Sequence, residues 1–198
     1  MALENLNLTG HFLIAMPNMQ DSFFADSVTY ICAHNEDGAM GVIINRPTEM
    51  SVEKLFEKIN LSLENTALSN QKVLFGGPVQ TERGFVLHTV DNGMHKDIWS
   101  SSIFVSSDIA LTTSKDILEA SAKGAGPEKM LLTLGYAGWT AGQLESEIIQ
   151  NAWLSVQPKD SKTLTKILYE IDHTDKHHAA IELLGINPAM LSDTAGHA

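Results

Sequence analysis

The sequence predicts a mixed α/β fold of the α+β kind: a central mixed sheet with antiparallel hairpins, flanked by helices. Three observations predict it. Short apolar runs rich in β-branched residues recur between Gly, Pro, Asn and Asp turn signals. Capped stretches with apolar residues at helical spacing interrupt those runs. Two of the runs, 28–33 and 39–44, are separated only by a tight polar turn, which joins antiparallel neighbours and argues against an all-parallel sheet.

The first strand is expected over 12–16 and ends at Pro17, which has no ladder donor. Residues 16–26 read as a loop or short helix. The second strand, 28–33, turns at Glu36-Asp37-Gly38 into the third, 39–44. Ser51 caps a helix whose apolar face carries Val52, Leu55, Phe56 and Ile59. A polar loop over 60–70 leads to a short strand at 73–75, ended by Gly76-Gly77-Pro78. A strand over 84–90 enters an Asp91-Asn92-Gly93 turn, and 103–105 and 109–111 read as edge strands or short extended pieces. A helix over 114–123 stops at Gly124-Ala125-Gly126-Pro127. The run 129–135 has the most continuous apolar centre. Gly135 to Trp139 then reads as a sharp strand-to-helix turn, with Thr140 and Gln143 forming a capping box for a helix at 140–152. A strand at 152–156 and helices at 161–171 and 175–184 follow, the last closed by Gly185. No repeat or linker breaks the pattern, so one domain is expected over 1–198.

Composition narrows the function classes. Hydrophobic residues make up 43% of the 198, enough for a buried core without metals or disulfides. The net charge is −11, and the eleven lysines are scattered. That balance repels a nucleic-acid backbone, and no helix-turn-helix with a basic recognition helix is evident, so direct nucleic-acid binding is disfavoured. Cys32 is the only cysteine, which fits a reducing compartment. The N-terminus lacks a signal-peptide pattern, and no apolar run approaches the roughly 20 residues that span a bilayer. A soluble cytoplasmic protein with no membrane partner is expected.

The candidate site residues sit around the 34–47 segment and the glycine turn. There are only two arginines, Arg46 and Arg83. If 28–33 and 39–44 pair, His34, Asn35, Asn45 and Arg46 would share one end of the hairpin. They would then offer an imidazole, amides and a forked guanidinium to a carboxylate or phosphate. The structural alternative has Arg46 pairing with a nearby acidic residue and Asn45 capping a turn. Gly76 and Gly77 would let a backbone approach a ligand, with Arg83 supporting an anion site. They match neither a dinucleotide fingerprint nor a Walker loop, and a tight structural turn is the simpler reading. Cys32 and His34 would share a strand face, but a lone cysteine among Val28, Tyr30 and Ile31 is more simply a small core residue. His173, Asp175, His177 and His178 lack metal-ligand spacing across the expected helix break. No cofactor motif, metal ligand set or complete catalytic constellation is present in the pattern.

Several long motifs together resemble the YqgE/AlgH family of small bacterial proteins. They are Leu8-Thr9-Gly10-His11-Phe12-Leu13-Ile14-Ala15-Met16-Pro17, the His34 to Pro47 segment, Phe75-Gly76-Gly77-Pro78-Val79 and Gly84-Phe85-Val86-Leu87-His88. Leu134-Gly135-Tyr136-Ala137-Gly138-Trp139, Gly142-Gln143-Leu144-Glu145-Ser146-Glu147-Ile148, Asn151-Ala152-Trp153-Leu154 and the terminal Gly196-His197-Ala198 complete the match. The resemblance covers nearly the whole chain and implies a mixed α/β fold around a central sheet. It brings no catalytic residues. Some members of that family carry a label as transcriptional regulators tied to alginate production.

Three functions stay open at this level. The first is a non-enzymatic protein, in a regulatory role, that binds a protein partner or a small anionic ligand. The second is an enzyme using a cleft of His34, Asn45 and Arg46, with His88 as a further member. The third is a DNA-linked transcriptional regulator.

Overall fold

Antiparallel pairing organises the chain from its start. The computed structural model describes residues 7–90 and 99–186; the turn expected at 91–93 and the tail from 187, with its Gly-His-Ala motif, lie outside them. Strand β1 (Phe12–Ala15) pairs with β2 (Val28–Asn35) on one side and with β10 (Trp153–Val156) on the other. β2 returns through a two-residue turn into β3 (Gly38–Ile43), the hairpin expected from the sequence. Asn35 accepts the Asp37 backbone N–H at 2.9 Å and so closes this turn.

The longest strands share one seam. Strand β9 (Met130–Thr140) pairs along one edge with β6 (Val79–Thr89). Its other edge is divided between β3, antiparallel at residues 137–140, and β5 (Lys72–Phe75), parallel at Thr133 and Leu134. β5 also holds β4 (Pro47–Ser51), a short strand with no apolar alternation that the sequence pattern does not reveal. β6 continues to β8 (Ile109–Thr112), and β8 to the edge strand β7 (Ser102–Phe104). The order is β10-β1-β2-β3-β9-β6-β8-β7, so the sheet is mixed but dominated by antiparallel pairs. It curls until β7 lies against β2.

Three apolar clusters fill the spaces between sheet and helices. One, including Tyr30, Val42, Phe85, Leu87 and Leu111, lies inside the curl. It is covered by α4 (Ser161–Thr165), a π-helical turn (Lys166–Glu170) and α5 (Lys176–Glu182). On the opposite face α3 (Gln143–Ile149) packs Leu144 beside Trp139 and Trp153. The third cluster joins α1 (Val52–Lys58) and α2 (Lys115–Ala122) to Val73, Val86 and Leu132. Ser51 caps α1 as expected, accepting the Lys54 N–H.

Four expectations need correction. The segment 135–139 does not leave the sheet: β9 runs on to Thr140, with Ala137 and Trp139 buried and Gly138 and Thr140 exposed, the alternation of a strand covered on one face. Gly135, at φ +73°, takes up the irregular register opposite residues 80–83 of β6 and lets the strand continue. The N-cap of α3 is Gly142 rather than Thr140, and only half of the capping box forms, with the Gln143 side chain accepting the Thr140 N–H at 3.0 Å. The expected helix over 161–171 changes to π geometry at Lys166, where the Ile171 N–H reaches back to the Lys166 carbonyl.

Lys176, in the first turn of α5, is buried and donates to the Leu168 carbonyl of the π turn. Burial pushes its pKa down to about 8, against a smaller upward pull from Asp172. Its unfolded value is 10.5, so between pH 8 and 10.5 the unfolded chain holds more protons than the folded one. The penalty for burying the ammonium is therefore complete below pH 8 and is relieved as pH rises. Relative to a Lys176→Met variant, the wild type should gain about 2–3 kcal/mol of unfolding free energy between neutral pH and about pH 10.5, read by urea unfolding at several pH values. A difference that stays flat with pH would show that the ammonium is not desolvated.

Candidate functional site

The hairpin register separates the residues expected to form a cleft. His34 faces Ala39 beside the closed turn, whereas Asn45 and Arg46 follow β3 beyond the Thr29–Ile43 pair, at the open end. The two groups stand at opposite ends of the hairpin, about 20 Å apart at the usual rise per residue. The expected His34, Asn45 and Arg46 cleft does not form.

His34 also leaves the Cys32 face. A β-bulge between Ile31 and Ala33 shifts the alternation by one residue. Cys32 stays in the cluster inside the curl, while His34 turns towards α3 with its cross-strand partner Ala39. Burial pushes the Cys32 thiol up to about 12, so it stays protonated and is a core side chain. His34 Nδ1 accepts the Leu8 backbone N–H at 3.0 Å, which leaves its proton on Nε2, and Nε2–H donates to Glu145 at 2.9 Å.

At the open end, Asn45 accepts the Val28 N–H and donates to the Asp26 carbonyl, tying two segments together. Among the described residues Arg46 makes no acidic pair. Its guanidinium donates to the Ser22 carbonyl at 2.8 Å and to that of Ala25, stitching the loop between β1 and β2 to the sheet. This corrects the sequence-level alternative: the oxygens Arg46 holds belong to the backbone.

The glycine turn is a close-packed crossing. Gly76 donates its N–H to Leu134, and its carbonyl accepts from Ile43. A Cβ on Gly76 would lie 2.2 Å from the Gly135 carbonyl oxygen, and one on Gly77 would lie 2.2 Å from the Tyr136 carbonyl carbon. Arg83 donates to Thr113 at 3.0 Å and lies over the Phe85 ring, 5.8 Å from its centre. Among the described residues it shares no partner with Arg46. His88 is buried: Nδ1–H donates to the Thr89 carbonyl, and Nε2 accepts from the Thr112 hydroxyl at 2.8 Å. Burial lowers its pKa.

A polar constellation gathers around Glu147 on α3. One carboxylate oxygen of Glu147 accepts both indole N–H groups, from Trp139 and from Trp153, each at 2.8 Å. The other oxygen accepts from Gln143 at 2.9 Å. The two indoles meet edge to face, 6.0 Å between centres, and Phe24 packs against both. Trp139 is thus buried and bonded. The carboxylates recur every second residue in the sequence, but only the placement of α3 over β9 and β10 shows what they hold. Among the described residues no cluster of His, Cys, Asp and Glu side chains would hold a metal ion. No helix among them is long and apolar enough to cross a membrane.

A family model described as AlgH-like matches residues 12–189. The chain belongs to the AlgH-like family. This AlgH-like chain is 53% identical over 193 residues to a UPF0301 protein of Ralstonia pickettii, covering 98% of this chain and 96% of the relative. It is 52% identical over 196 residues to one of Thiobacillus denitrificans, covering 99% and 100%. Among solved structures it is similar to the AlgH protein of Pseudomonas aeruginosa, at 42% identity and a TM-score of 0.76 with both chains fully covered. A protein of Corynebacterium diphtheriae shares the fold at 22% identity, with 78% of each chain covered and a TM-score of 0.61. In the AlgH-like chain described here, motifs far apart in sequence meet around α3: His34, Trp139, Gln143, Glu145, Glu147 and Trp153 form its attachment to the sheet.

A neighbouring surface carries features that the sequence reading passed over. Phe23 is 46% exposed, and its ring stacks on Phe75 with 5.9 Å between centres. Its loop is fixed from three directions. Asp21 accepts the Phe23 N–H at 2.8 Å, Arg46 holds the carbonyls of Ser22 and Ala25, and Phe24 is packed on the two tryptophans. Consecutive phenylalanines in a loop were the only available signal, and sequence alone does not show which of the two faces outward.

Proposed function

We propose that this AlgH-like protein acts by binding another protein, without catalysis of its own, and that the Phe23–Phe75 corner is the contact. The observation that carries the reading is an exposed aromatic ring on a loop already held rigid. Such a ring gives up little conformational freedom when a partner covers it, and aromatic side chains dominate interface energetics. Both guanidiniums have protein partners, Arg46 on carbonyls and Arg83 on Thr113, which favours a protein contact over the small anionic ligand. The partner surface this corner fits is an apolar pocket with a basic rim, given the −11 charge of the chain. A regulatory role would then pass through that partner.

A photo-crosslinking phenylalanine analogue in place of Phe23 should trap a defined protein in cells, while the same probe in place of Glu182 on α5 should not. The purified partner should bind Phe23→Ala roughly 10- to 100-fold more weakly than wild type, with the melting temperature unchanged. Equal trapping at both positions, or full affinity in Phe23→Ala, would remove the proposal.

A further inference from the structure

A second surface, independent of the aromatic corner, is a sheet edge. The sheet ends in β10 on one side and in β7 on the other. β10 is covered, with Trp153 and Val156 buried. β7 is not: Ile103 and Phe104, which point to opposite faces, are 42% and 43% exposed. β7 lies against β2, yet no ladder joins the two.

The register of β7 on β8 shows which backbone groups stay outward. Thr113 donates its N–H to the Ser101 carbonyl, Val105 donates its own to Ile109, and Ile103 faces Leu111 between them. Residues 101, 103 and 105 therefore bond to β8, and the N–H and C=O groups of Ser102 and Phe104 point away from the sheet. Among the described residues no backbone group meets them. An edge with unpaired backbone groups is a template for another strand, and proteins usually guard it with a charge, a proline or a bulge. The run from Ser100 to Ser107 holds no charged residue and no proline, so only the shortness of β7 guards it.

We infer that β7 pairs with the β7 of a second copy of this chain, antiparallel about a two-fold axis through Ile103. In that register Ser102 and Phe104 exchange N–H and C=O bonds with Phe104 and Ser102 of the other copy. Each Ile103 faces its own counterpart, and each Phe104 lies opposite a Ser102, so both exposed apolar side chains gain a neighbour across the strands. Charge favours this occupant. Two copies of a chain with a net charge of −11 repel each other, and they meet best where no carboxylate faces another. Self-pairing about Ile103 also sets Ser101 against Val105 and Ser100 against Ser106, so no charge enters the contact. The two-fold axis uses both edges at once and closes the assembly at two chains.

Sedimentation of the full chain over a concentration series should show monomer giving way to dimer and nothing larger. Phe104→Pro removes one outward N–H per copy while leaving the bonds to β8 in place, so it should weaken association about 10- to 100-fold. Phe23→Ala should associate as wild type does, which separates this contact from the aromatic corner. Cysteine variants read the register. On mild oxidation Ile103→Cys should give a disulfide-linked dimer, because facing residues of a non-hydrogen-bonded pair have Cα atoms about 4.5 Å apart. Phe104→Cys is the control at equal exposure and should not, because its counterpart is displaced by two residues along the strand, beyond the roughly 7 Å that a disulfide spans. The cysteine pair decides the matter even where Phe104→Pro fails to fold. A chain that stays monomeric up to about 1 mM, assemblies larger than a dimer, full association in folded Phe104→Pro, its loss in Phe23→Ala, or equal crosslinking at positions 103 and 104 would each overturn the inference.

Discussion

Replacing Gly77 with alanine should leave little folded protein. Its φ of +149° is one that L side chains rarely adopt. Its added Cβ would lie 2.2 Å from the Tyr136 carbonyl carbon, 2.3 Å from that oxygen and 2.4 Å from the Ala137 nitrogen. All three are backbone atoms of β9, so relief requires moving the strand that pairs with β3, β5 and β6. Overpacking and backbone strain act together, and the cost should exceed about 4 kcal/mol. Gly84→Ala is the matched control. It lies on the adjoining strand β6 with nothing within 4 Å of a Cβ, and should stay within about 0.5 kcal/mol of wild type in urea unfolding. A Gly77→Ala protein as stable as Gly84→Ala would show that the crossing is looser than described.

Glu147→Ala is expected to be the next most damaging change. It strips two buried indoles, Trp139 and Trp153, of their acceptor and removes the Gln143 contact that helps fix the start of α3. A buried donor without a partner costs about 1–3 kcal/mol, so the loss should total roughly 2–6 kcal/mol. Glu147→Gln keeps one carbonyl oxygen and should fall between the two. The loss should shrink when Trp153→Phe is already present, because that change removes one of the stranded N–H groups. Urea unfolding of the four proteins in this cycle measures the coupling, and a coupling of zero would mean that the indole bonds contribute nothing to stability.

These two sites were legible to different degrees. Gly76-Gly77-Pro78 could be read as a tight turn because glycine tolerates backbone conformations that other residues do not. The strand it crosses could not, since the neighbouring Gly135 and Gly138 made the same segment look like a turn when it was a strand. Its buried–exposed alternation over residues 136–140 was present, but two glycines diluted it below notice. The β2–β3 hairpin, the Ser51 cap and the break at Pro17 were legible because each rests on a local steric or hydrogen-bonding rule.

The candidate site was less legible. Residue spacing placed His34 with Cys32 and brought His34 near Arg46. A single extra residue in the bulge reversed the first relation, and the hairpin register excluded the second. Arg46 looked like a ligand-binding or ion-paired group because guanidinium forks suit carboxylates. The carbonyls of Ser22 and Ala25 offer the same geometry, and nothing in their side chains announces it.

By itself the sequence determined the fold class, the family, the main strands and helices, and an acidic surface poor in arginine. These follow from hydrophobic periodicity, turn chemistry and composition, which act over a few residues or over the whole chain at once. The tertiary structure alone decided which polar groups meet: Glu147 with two tryptophans, and Arg46 with a loop backbone. Hydrogen bonds act over about 3 Å, and strand register, bulges and sheet curl set those distances between residues that sequence order keeps far apart.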